Sequence, residues 1–238
     1  MKKRMTKIIS IAHQKGGVGK SVVACMLATE LQKRRYDVVL IDSDKQGSLL
    51  TKRASQLQSL QSQGEETATL PLVEIVAANE LQDISKVIKT KNGLVDYFII
   101  DTPGVINDEV KQILKNSDII LIPVTNGDSD WDALQTVIPV INSVRGQGTQ
   151  VIAMYNKVSP TTRWKEFMAA MPEYFNFNDI ILPSMKTSIH GKYQPLQLGN
   201  RDEYQTIDTI LALTDRKTSN RKAKTEAAYA VSAIIELL

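Results

Sequence analysis

Cysteine and histidine are nearly missing from this chain: Cys25, His13 and His190 stand alone among 238 residues. A lone cysteine forms no internal disulfide and builds no Cys-only metal or iron–sulfur cage within one subunit, and it suits a reducing cytosol. The two histidines are too isolated to suggest a metal site and read as ordinary structural residues. Long apolar runs are lacking too. No stretch reaches the ~18 uninterrupted apolar residues of a membrane helix. The basic start Met1-Lys2-Lys3-Arg4 is followed by an apolar run that stops at His13-Gln14-Lys15, which is too short for export. Glycine (12) and proline (8) are sparse and 42% of residues are hydrophobic, so one ordinary globular domain over 1–238 is expected. A net charge of +3 neither demands nor excludes a polyanionic partner.

What the chain does have is a recurring unit. Short apolar runs over 7–12, 37–41, 73–76, 96–100, 118–124, 150–155 and 179–182 carry Ile and Val at both parities, as strands covered on both faces should. Segments with helical patterning lie at 19–33, 46–59, 80–89, 108–116, 130–144 and 223–238. Strand and helix in alternation imply right-handed crossovers and an α/β fold: a mostly parallel sheet of about seven or eight strands with helices on both faces. No internal repeat or interdomain linker is visible. The Gln/Ser-rich stretch 55–69 reads as a helix end running into an exposed loop.

Chemistry enters at Gln14-Lys15-Gly16-Gly17-Val18-Gly19-Lys20-Ser21, between the first strand and the first helix. Glycines let the backbone curl so that successive N–H groups point at phosphate oxygens, and the helix N-terminus adds a favourable dipole. In such a loop Lys20 meets the β- and γ-phosphates and the Ser21 hydroxyl ligates Mg²⁺. A ligand-free glycine turn would not need the Lys-Ser pair. Next, the strand 38–41 runs into Asp42-Ser43-Asp44, two carboxylates one residue apart. In isolation that pair would be taken as a cap for the following helix; beside a phosphate loop it becomes a site candidate. A third apolar strand ends in Asp101-Thr102-Pro103-Gly104, placing a carboxylate at the sheet edge where α/β ligands bind.

Gln14 stands where a strict Walker A pattern has glycine, and Lys15 is an addition to that pattern. With the two acidic strand ends in this order, the stretch from about 6 to 182 resembles the ParA/MinD superfamily of deviant Walker A ATPases, and its small ParA-like partition members in particular. The resemblance implies a P-loop NTPase fold and a nucleotide cradle formed by Lys15, Gly16, Gly17, Val18, Gly19, Lys20, Ser21 and Val22. It makes Lys15 the signature lysine that reaches a partner subunit's phosphates, neutralising charge as an arginine finger does. Asp44 is expected to orient the attacking water, Asp42 to support the metal shell with Ser21, and Asp101 to hold Mg²⁺. Gly104 becomes a hinge sensing the γ-phosphate. Asn156 is matched to the residue that bonds the adenine, and Pro183 to the loop lying against it. Two departures stand out: Val22 replaces a frequent hydroxyl residue and Lys45 a usual proline. Neither removes the lysine, Mg²⁺ or water-orienting functions, so a working ATPase of slow intrinsic rate is expected, with ATP and Mg²⁺ as cofactors.

The partners implied are a second copy of the chain with ATP, non-specific DNA, and a ParB-like adaptor that stimulates hydrolysis in a cytoplasmic, nucleoid-associated setting. Lone Cys25 cannot supply the bridging thiolates of the superfamily's iron–sulfur reductases and reads as a small buried hydrophobe. Arg216, Lys217, Arg221, Lys222 and Lys224, joined by Lys192 and Arg201, are the candidate DNA surface. The cluster reads equally as a solvated basic turn; the resemblance favours DNA, with affinity rising steeply when a dimer doubles the patch. With the first strand near residue 7, no N-terminal helix-turn-helix is expected. The alternative is a MinD-like membrane-associated spatial regulator docking through residues 226–238. Because the basic residues precede that segment instead of lining its polar face, core packing is the simpler use of it, and no stable membrane association is expected.

Overall fold

β-branched residues are stiff at χ1 and pack well on a pleated surface buried on both sides, and they dominate the segments that become strands. The computed structural model describes residues 5–45, 47–64, 66–68, 72–125, 128–158, 180–181, 184–186, 193–195, 197–199 and 218–238. Along the chain run β1 (Lys7–Ile11), α1 (Lys20–Lys33), β2 (Val38–Asp42), α2 (Ser48–Ser62), β3 (Glu74–Ala77), α3 (Leu81–Lys91), β4 (Tyr97–Asp101) and α4 (Asp108–Lys115). There follow β5 (Ile119–Val124), α5 (Asp128–Val144), β6 (Gln150–Val158), four short strands β7 (Ile180–Ile181), β8 (Ser184–Lys186), β9 (Tyr193–Pro195) and β10 (Gln197–Gly199), and α6 (Thr218–Ile235).

The sheet order is β3-β2-β4-β1-β5-β6, every neighbouring pair parallel. This is the expected α/β architecture, with six strands of four or more residues, fewer than the seven or eight expected. Two short strands extend it: β7 pairs with the first half of β6 and β10 with the second, both parallel. They share one lateral position and bring the sheet to eight strands in all. β8 and β9 form a separate antiparallel ladder that the apolar pattern does not announce.

Side-chain parity sorts the core into two layers. Ile9, Ile11, Leu40, Ile99, Leu121 and Met154 face α1 and α6, meeting Val23, Met26, Leu27 and Leu31 from the first helix and Ala230, Val231 and Ile234 from the second. The opposite parity, including Val39, Ile41, Phe98, Ile100, Ile120 and Ile122, meets α3, α4 and α5. Each fully buried aliphatic side chain stabilises the fold by ~1.5–3 kcal/mol. Among the described residues Phe98 is the largest fully buried side chain, and its truncation to Ala would cost about 3–5 kcal/mol. α1 is apolar nearly all round, buried from Val23 to Leu31 apart from Cys25, because sheet and α6 cover it from two sides. Cys25 packs half-buried against that layer, in keeping with a small hydrophobe. Among the described residues no helix is long and apolar enough to cross a membrane.

Parallel strands bring their carboxyl ends to one edge, and β1 is central, flanked by β4 and β5. The register sets Ile11 beside Asp101 and Asp101 beside Asp42. The ends of β1, β4 and β2 therefore lie side by side, and whatever loops they carry converge there.

Candidate nucleotide site

β1 leads through Ala12 and His13 into the glycine loop. Gly17 and Gly19 adopt φ of 78° and 93°, the left-handed region that glycine enters at no steric cost. Gly19 is the N-cap of α1; no side chain caps that end and no acidic residue occupies its first turn. The leading amides and the positive end of the helix dipole are thus left to an anion. His13 is fully buried, and its Nδ1 accepts from Lys15 N at 2.9 Å, which fixes the backbone under the extra lysine. From the far edge of the sheet, Asn156 Nδ2 donates to Val18 O at 2.8 Å and Lys157 Nζ donates to Gly17 O. Val22, the departure from the hydroxyl pattern, leans on the α1-side core.

Three carboxylates face this loop. Asp101 is about 1% exposed. Among the described residues neither of its oxygens has a hydrogen-bond partner of normal geometry, although the Ser21 hydroxyl lies close enough to favour the charged form. Burial pushes the Asp101 carboxyl up to about 7, the nearby Asp42 and Asp44 add to the rise, and Ser21 and Lys20 oppose it. Lys20 shifts the other way: burial lowers its pKa, while Asp101 and Asp44 hold it up. A methyl group placed on Gly104 would sit 3.8 Å from the Lys20 Nζ, so the loop after β4 abuts the ammonium.

Asp42 is buried and raised by desolvation, but its oxygens are engaged: Oδ1 accepts from Asp44 N at 3.2 Å and Oδ2 from Leu49 N at 3.0 Å. It therefore pins the segment carrying Asp44 and caps the first turn of α2, so the capping role open to Asp-x-Asp is realised by its first member. Asp44 is half-buried, and its carbonyl accepts from Gly47 N. Ser43 Oγ donates to Asp101 O at 2.7 Å, and Thr102 Oγ1 donates to Ile11 O at 2.7 Å. These ties lash the three strand ends together.

Among the described residues no group of three His, Cys, Asp or Glu side chains forms a ready-made metal cage. Mg²⁺ takes one or two protein ligands and fills its octahedron with water and phosphate oxygens. A buried carboxylate with two unclaimed oxygens beside a serine hydroxyl is a donor set such an ion fits.

The structure thus gathers Lys15, Gly16, Gly17, Val18, Gly19, Lys20, Ser21, Val22, Asp42, Asp44, Asp101 and Asn156 at one edge. Pro183, Lys192, Arg201, Arg216 and Lys217 lie outside the described residues. Arg221 and Lys222 lie on the α6 backbone, and Lys224 is half-buried there. Ser43, Thr102 and Lys157 support the site without a local motif to announce them, because their partners are remote in sequence, and His13 supports it through a turn to Lys15 N two residues on.

A family model described as the CobQ/CobB/MinD/ParA nucleotide binding domain matches residues 9–174. The chain is 25% identical over 190 residues to the chromosome partitioning protein ParA of Caulobacter vibrioides, covering 63% of this chain and 70% of that one. A plasmid partition protein from Borrelia burgdorferi, solved bound to AMPPNP, superposes with a TM-score of 0.62 at 18% identity, covering 98% of this chain and 100% of that one. The MinC:MinD cell division complex of Aquifex aeolicus gives 0.62 at 16% identity, covering 97% of this chain and 96% of the other.

Proposed function

Because the chain belongs to the CobQ/CobB/MinD/ParA nucleotide-binding domain family, we propose that it is a MgATP-dependent ATPase that dimerises on ATP and partitions DNA, plasmid or chromosome. The observation that carries this reading is the uncapped, left-handed glycine loop with Lys20 and the orphaned Asp101 carboxylate converging on it. Anion cradle, cation and metal donor are together, and phosphoryl transfer needs positioning and charge stabilisation above all.

The roles divide along the edge. The loop amides and Lys20 bind the phosphates; Ser21 and Asp101 hold Mg²⁺, which neutralises charge on the transferring group. Asp42 supports that shell by pinning the 43–49 segment, and Asp44 orients the attacking water. Lys15 reaches the partner subunit's phosphates, so ATP holds the dimer together. The Asn156 oxygen accepts from the adenine amine, and the Pro183 loop lies against the base. Turnover is slow until a ParB-like adaptor engages. The basic residues from Lys192 to Lys224 bind duplex DNA without sequence preference when the dimer forms, and the protein works on the nucleoid in the cytoplasm as one domain.

The membrane-regulator alternative asks the C-terminal segment to bury its apolar side chains in lipid. Here Ala230, Val231 and Ile234 are buried in the core, and Leu237 and Leu238 pack against it, which supports a structural use of the segment.

Asp44→Ala with ATP is the test. It should sediment as a dimer, retain duplex DNA and release no phosphate, while the parent protein stays off liposomes in a flotation assay. Single subunits only, with a non-hydrolysable analogue, would sink the reading. Recruitment to lipid but not to DNA would select the alternative.

A further inference from the structure

Two donors reach the phosphate loop from a strand that carries no part of it. Asn156 is 3% exposed near the end of β6, and Lys157 follows it in the left-handed region at φ 56°. Asn156 Nδ2 takes Val18 O at 2.8 Å and Lys157 Nζ takes Gly17 O. Since Val18 O only accepts, the amide of Asn156 must face it with its NH₂, which leaves the oxygen for other work. A planar trans peptide sets each carbonyl antiparallel to the N–H of the next residue. Drawing the carbonyls of Gly17 and Val18 towards β6 therefore turns the N–H groups of Val18 and Gly19 the opposite way, into the hollow of the loop. The Asn156 amide leaves room at 19 for glycine, since a Cβ there would lie 2.2 Å from its Nδ2.

We propose that Asn156 and Lys157 are positioning residues that hold the phosphate cradle in its anion-binding form before nucleotide arrives, by tying two loop carbonyls away from it. The proposal rests on the nucleotide reading above and is separate from any contact Asn156 makes with the base. A preformed nest binds without first being ordered, so the tethers act on triphosphate affinity whatever is attached to it.

The test therefore uses a ligand with no base. Mg²⁺-ATP and Mg²⁺-tripolyphosphate are titrated calorimetrically into the parent protein, Asn156→Ala, Lys157→Met and Lys157→Arg, with ligand-free melting measured alongside. Loss of the buried bond in Asn156→Ala should weaken tripolyphosphate about tenfold. Lys157→Met, at an exposed position that keeps the fold intact, should weaken both ligands about threefold without moving the melting temperature. Lys157→Arg keeps a donor and should recover most of that loss. Unchanged tripolyphosphate affinity in both Asn156→Ala and Lys157→Met overturns the proposal, as does a parent protein that takes ATP but not tripolyphosphate, for then no cradle is preformed. A parent that binds neither ligand sinks the nucleotide reading itself.

Discussion

The two ends of the central sheet use aspartate in opposite ways. At the amino ends, Asp118 accepts from Lys7 Nζ at 3.0 Å and from Ile8 N at 2.8 Å, and Asp96 accepts from Asp37 N at 2.8 Å. Those carboxylates are partly solvated and satisfied, and they fasten strand starts. At the carboxyl ends, Asp101 is buried, neither of its oxygens has a hydrogen-bond partner of normal geometry among the described residues, and its pKa is pushed up to about 7. Leaving a buried acceptor unpaired costs ~1–3 kcal/mol, more if it is charged. One end has been arranged for stability and the other holds back its bonding capacity for a ligand.

The largest effect expected lies at the carboxyl edge. Lys20→Ala removes a partly buried cation whose charge Asp101 and Asp44 support, and ATP affinity should fall by more than about a hundredfold; a titration retaining micromolar binding would break the contrast. Next, Asp101→Asn should have opposite signs in two assays. It should abolish the Mg²⁺-dependent part of ATP binding, yet stabilise the ligand-free protein at pH 8 by on the order of 1–3 kcal/mol, read as a higher melting temperature. The sign follows from linkage: Asp101 keeps its proton up to about 7 when folded, whereas an unfolded aspartate loses it near 4. Between those values the folded state binds more protons, so ligand-free stability falls as pH rises through the window and stays reduced above it. That slope should be weaker in Asp101→Asn, with some remaining because Asp42 is raised as well. Smallest, Asp118→Ala should cost about 1 kcal/mol, lowering the melting temperature by about 2–4 °C, and leave ATP affinity unmoved. A loss of affinity there would mean that the two ends are coupled.

Local chemistry made much of this legible. Gly-Gly-Val-Gly-Lys-Ser and the acidic strand ends announce themselves because each function needs residues a few positions apart, and parallel β-strands deliver them to one edge. Helix and strand positions followed from apolar periodicity, with ends displaced by a few residues: α2 begins at Ser48 and runs to Ser62, and α6 begins at Thr218. What stayed hidden depends on long-range pairing. The bond from Asn156 to Val18 spans 138 positions, and nothing near Asn156 marks it as a support for the loop. His13 is a local exception: it reads as an ordinary structural histidine, and the turn that brings Lys15 N to its Nδ1 has no sequence signature. The short strands β8 to β10 escaped because three residues carry too little periodicity to be distinguished from loop, whereas β7 falls inside the apolar run 179–182.

The burial of α1 has a mechanical consequence. A helix gripped by the sheet on one side and α6 on the other cannot shift without opening the core, so the phosphate loop at its head is the stationary jaw of the machine. The stretch after β4 is held less closely, with Val105 70% exposed. Amide exchange in the ligand-free protein should accordingly be slowest under the cradle and faster along the stretch around Val105.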